Sequence, residues 1–142
     1  MNADVTLLNE IYQNSHTAIK AMSVILPKTQ NTPLFDCLFS QICEYRSIAN
    51  SARTLLEELN AVPMNESFLD KSVFYFCLGY ASFGKNSCKR AAKLLSFGSR
   101  EGIFDITEFV NCCDGACEKS RKLAYRLIKT EEKNICKMNE FL

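Results

Sequence analysis

The side chains able to do chemistry are few in kind. The 142-residue chain has one histidine, His16, and eight cysteines, at 37, 43, 77, 88, 112, 113, 117 and 136. Cys113 and Cys117 are i and i+4, which on a helix turns both sulfurs to one face, with Cys112 just round it. Cys77 and Cys88 fall on a stripe of small residues, and Cys43 precedes Glu44. Were these faces to converge, the soft thiolates would suit Cu(I) or zinc. A second set is harder in character. Ser15 breaks the first apolar row beside His16, Glu44 flanks Tyr45 in the second, and Asp114 and Glu118 lie one turn apart in the last. Placed mid-helix, they could share one level of a bundle, where such folds keep their ligands.

Each of these has a plainer reading. Free cysteine packs as a small hydrophobe. A lone histidine on a half-buried face hydrogen-bonds a neighbour. Glu44 has Arg46 and Arg53 within reach for an ion-pair network along the bundle seam, and Asp114 and Glu118 have Lys119, Arg121 and Lys122. With a single histidine and no orienting third group, no Cys–His nucleophile is suggested. The run from Phe97 to Gly102 lacks the preceding strand that a phosphate-binding glycine loop needs. No catalytic residue is expected, and no enzyme.

Residues 71–100 hold six basic side chains and no Asp or Glu. Lys85, Lys89 and Lys93, with Arg90 beside them, form a ridge that could dock an acidic partner or a phosphate backbone. Cross-helix pairing with Asp36, Glu57 and Glu58 is the plainer account.

The elements that must position these groups are helices. Gly and Pro together number eight, too few for many short strands, and no period-2 alternation of useful length occurs. Four helical segments are expected, about 4–26, 33–60, 67–96 and 105–140, in one domain spanning 1–142. The first carries Val5, Leu8, Tyr12, Ile19, Met22 and Leu26 at steps of three and four, and Pro27 ends it. Thr32 and Pro33 read as N-cap and first helical residue of the second, which Asn60 and Pro63 close. Ser67 with Asp70 would cap the third, and Gly98 and Gly102 would stop it. Asp105 and Glu108 would open the fourth, whose far end should overhang, bend or fray near Thr130–Lys133. Short connections favour an antiparallel up-down-up-down four-helix bundle.

A formal net charge of +1 sets up no global field for nucleic acid or an anionic surface. The opening residues have neither the basic start nor the apolar stretch of a secretory signal, and no run is long enough to cross a membrane. A cytoplasmic address with reduced thiols is expected.

Three stretches, LLNEIYQNSHTAIKAM, LFDCLFSQICEYRSIANSARTLLEEL and FVNCCDGACEKSRKLAYRLI, resemble helices of bacterial ferritin-like domains, in particular a family of unknown function. The resemblance covers roughly half the chain and lies in register and hydrophobic pattern. It implies a Glu from helix one, Glu-x-x-His from helix two, and a matching set from the other two helices. Here helix one would offer His16, helix two Glu44 followed by Ser47 instead of His, and helix four Glu118 followed by Arg121. Helix three offers no acid.

The implied reading is a ferritin-like bundle with degenerate ligands and no cofactor. It would act as a non-enzymatic interaction or self-association module, a homo-oligomer or the binder of a protein partner. The alternative is metal binding: Fe, Mn or Zn through His16, Glu44 and Glu118, or Cu or Zn through Cys113 and Cys117.

Overall fold

A computed structural model describes residues 2–64 and 87–142. Among these residues there is no strand. Four helices are described: α1 (Ala3–Ile25), α2 (Pro33–Glu58), α3 (Ser87–Cys112) and α4 (Glu118–Asn139). A 3-10 turn, Leu26–Thr29, links the first two. None of the described helices is long and apolar enough to cross a membrane.

α1 starts where Asn2 places its side-chain oxygen 2.8 Å from the Asp4 N–H and 3.3 Å from that of Val5, satisfying two donors the helix cannot. Pro33 opens α2 with its φ already helical and no N–H to lose. Thr32 holds the N-cap position, but its hydroxyl turns back and donates to the Thr29 carbonyl at 2.6 Å. α2 ends in a left-handed Asn60, φ 56°. The N–H of Ala61 reaches the Leu56 carbonyl at 2.9 Å and that of Asn60 the Glu57 carbonyl at 2.9 Å, the two bonds of a Schellman stop.

α1 packs along α2 and α3 along α4, while α1–α3 and α2–α4 contacts close the ring. α1 and α4 also meet across the centre, whereas α2 and α3 hardly touch. The core they enclose includes Leu7, Leu8, Ile11, Leu34, Leu38, Ile48, Ile106 and Leu127. Burying each such side chain contributes roughly 1.5–3 kcal/mol.

The second half of the chain departs from the sequence expectation. The break expected at Phe97–Gly102 is not there: α3 runs through it to Cys112. Helix interiors tolerate glycine at a cost of about 1 kcal/mol, and Gly102 is buried against α1 and α4, where a side chain would not fit. Asp105 and Glu108 are therefore mid-helix residues, not caps. The turn lies later, at residues 113–117, where the Ala116 N–H bonds the Cys113 carbonyl at 3.0 Å. α4 then continues without interruption to Asn139, and Thr130 and Glu131 are buried, so the end expected to fray is packed instead. The cap at Ser67 and Asp70, residue Cys77 and Lys85 of the basic ridge lie outside the described residues.

Candidate functional site

The later turn disperses the residues singled out for chemistry. Cys113 and Cys117 are not on one helix: Cys113 is buried just past α3, and Cys117 is the exposed N-cap residue of α4. Burial, and then the neighbouring Cys112 and Asp114, push the Cys113 thiol up. Glu118 is the first residue of α4, at the end of the bundle and not its middle, and pairs with Lys122 at 3.1 Å in the open.

Glu44 does bind an arginine, but across the bundle. Arg126 of α4 reaches its Oε1 at 3.1 Å and also donates to the Ser47 hydroxyl at 3.0 Å. Arg53 turns to Asn50 instead. His16 is half-buried on α1, its ring 4.4 Å from that of Tyr12. Among the described residues no group of three or more His, Cys, Asp or Glu side chains is placed to hold a metal ion. His16, Glu44 and Glu118 thus do not fit the two-metal bridge that the ferritin-like pattern would need, because the arginine and lysine of α4 engage both carboxylates.

Another carboxyl occupies the middle of the bundle. Glu131 is 2% exposed and one of its oxygens, Oε2, has no hydrogen-bond partner among the described residues. Its place follows from α4 periodicity, since Leu127, Glu131, Asn134 and Met138 continue the buried stripe of Ser120, Leu123 and Ala124. Burial pushes Glu131 up to about 7, against hydrogen bonding from Ser99 of α3 and Tyr45 of α2. Tyr45 is fully buried. Burial, and then the adjacent Glu131 carboxylate, push its hydroxyl well above the ordinary range. The Asn134 amide donates to that hydroxyl at 2.9 Å.

Gly102 leaves the room this carboxyl needs. A β-carbon there would sit 2.9 Å from Glu131 Oε1 and 3.0 Å from Asn14 Oδ1. All four helices therefore supply a polar group to one level.

Asn134 joins this cluster to the surface. With Gln41 and Thr130 it forms part of the lining of a groove of about 950 Å3 between α2 and α4. Along the α4 wall stand Lys122, Arg126, Lys129, Lys133 and Lys137; the acids of the lining are Asp36, Glu44 and Glu140. Lys122 and Arg126 are paired as described, and Lys137 lies 3.8 Å from Glu140. Lys129 and Lys133 make no ion pair with a described residue.

An adjoining groove of about 910 Å3 shares Lys122 and Arg126, adds Arg46 and Lys119, and has no carboxylate in its lining. The α2–α4 flank therefore presents cations along much of the length of α4. The groove offers no activated nucleophile. Burial raises the Cys37 thiol, the Lys137 charge notwithstanding, and Gln41 donates to its sulfur at 3.3 Å.

Periodicity alone could have found Glu131, had the row of Leu123 and Leu127 been extended by one turn. The groove could not be read that way, because its two walls are some eighty residues apart in the chain.

No family model matches the chain, and no curated protein does. Among solved structures, the chain resembles the crystal structure of a DUF305 fragment from Deinococcus radiodurans, at a TM-score of 0.81 and 11% identity, over 99% of this chain and 95% of that one. At that identity the likeness concerns the fold alone.

Proposed function

We propose that the protein is a non-enzymatic interaction module, a ferritin-like bundle of antiparallel helices that binds an acidic protein partner in the α2–α4 groove. The observation that carries this reading is the pair Lys129 and Lys133, two cations without an ion-pair partner among the described residues, in a groove whose other cations are held by carboxylates. Uncompensated charge set along a concave surface steers and orients an oppositely charged partner. The five cations of α4 recur every three or four residues. A partner helix carries Asp or Glu at the same rise of ~1.5 Å per residue, so one laid in the groove would match several of them at once.

The test titrates the intact protein with two probes, an amphipathic helical peptide bearing glutamates at spacings of four and three, and a single-stranded oligonucleotide. Binding is read from amide chemical shifts of groove residues. The peptide should bind the wild type, and at least tenfold more weakly the variant Lys129→Glu/Lys133→Glu. Equal affinity for both proteins overturns the reading. Tighter binding of the oligonucleotide also does, in favour of a phosphate chain.

A further inference from the structure

We infer that the acidic partner is a second copy of this chain, which docks the exposed face of its α3 into the α2–α4 groove; this rests on the groove reading above. The face is the outward side of the C-terminal half of α3, where Glu101, Asp105 and Glu108 stand at steps of four and three. All three are exposed, and none has an ion-pair partner among the described residues. They crowd one another instead. Burial first, and then the charges of Glu101 and Glu108, raise Asp105, and Asp105 in turn helps raise Glu10 of the adjacent α1. A cationic surface laid over them would relieve that repulsion.

Two large aromatics share the face, Phe97 at 60% exposure and Phe104 at 70%. They are seven residues apart, two helical turns on the same side. Apolar groups this open beside a charged rim mark contact surfaces. The groove has matching apolar places in Pro33, Tyr125 and Phe141, between its cations. Glu101 and Asp105 repeat the spacing of Lys129 and Lys133, so both pairs can face across one interface.

The two surfaces cannot meet within one molecule. α3 hardly touches α2, and Phe97 and Phe104 point outward. Docking therefore joins separate copies, each α3 entering the groove of another copy. Such contacts close as a reciprocal dimer or a ring, or continue as chains.

Sedimentation velocity on the intact chain tests this, with circular dichroism as a check that each variant is folded. The wild type should assemble beyond the monomer as concentration rises. Lys129→Glu/Lys133→Glu and Glu101→Lys/Asp105→Lys should each weaken assembly at least tenfold. The variant carrying all four reversals should recover it, since the charges again face their opposites. A wild type that stays monomeric at millimolar concentration overturns the proposal, as does a fourfold variant that fails to reassemble while folded. If self-association fails but the acidic peptide still occupies the groove, the binding module stands and its partner is another protein.

Discussion

Glu131 shows what a single buried ionisable side chain imposes on this molecule. Its native value, about 7, lies above the ordinary 4.5, so between those values the folded protein holds a proton that the unfolded chain has released. The stabilising form is the neutral acid. Its contribution is full below about 4.5, declines as pH rises and is gone above about 7. A displacement of this size corresponds to about 3 kcal/mol. Glu131→Gln keeps the shape and removes the ionisation. Urea unfolding should find the variant close to wild type near pH 5, more stable above pH 7 by up to about 3 kcal/mol, and flatter in between. Parallel pH profiles for the two proteins would show that the carboxyl is not held as described. Among the described residues the groups facing it are Tyr45 and Ser99, with Asn14 Oδ1 at the Gly102 notch, and no described cation offsets its charge there.

At the scale of the element, α3 and α4 are set by packing where local propensity alone would mislead. Gly98 and Gly102 both sit inside α3, four residues apart, but only Gly102 is crowded. A methyl at Gly98 would meet nothing within 4 Å. Gly98→Ala should therefore raise stability by roughly 0.5–1 kcal/mol through helix propensity and a less free unfolded chain. Gly102→Ala has the same propensity gain but must displace the buried Glu131 carboxyl, a typical overpacking loss of ~1–3 kcal/mol. Thermal melts should move in opposite directions for the two; a shared rise would refute the account of the notch.

The start of α4 shows the same dependence on tertiary context. Its N-cap residue Cys117 makes no side-chain cap bond, and Asp4 of α1 serves in its place, accepting from the Cys117 N–H at 2.7 Å and the Ser120 hydroxyl at 2.8 Å. Burial raises Asp4, but the bonds from Cys117 and Ser120 together leave its carboxyl below the usual range.

On the whole molecule, near-neutrality conceals segregation. The net charge of +1 is a sum over a cationic α2–α4 flank and an acidic face on α3, with Glu10 of α1 beside it. Charge so divided favours contact between copies and makes it sensitive to salt. The Debye length falls from about 10 Å at 0.1 M to 3 Å at 1 M. The association measured by sedimentation should accordingly weaken at least tenfold between 50 and 500 mM salt. An association that salt leaves unchanged would have to be apolar, through Phe97 and Phe104 without the acids.

The helical class was legible in the chain itself. Apolar steps of three and four, Pro33 as an opener and Asn60 as a stop are local signals, and local hydrogen bonding obeys them in α1 and α2. The break between α3 and α4 was not legible, because a glycine costs a helix only about 1 kcal/mol, and the buried Leu94, Leu95 and Ile106 on either side carry α3 through both Gly98 and Gly102. Once the turn moved to 113–117, Glu118 and Cys117 left the bundle middle for its end and lost the positions that suggested ligands. The sequence determined which stripes would be buried, since burial follows the 3.6-residue period. Only the tertiary structure decided which polar groups would meet, since Tyr45, Ser99 and Glu131 belong to three helices that no periodicity aligns.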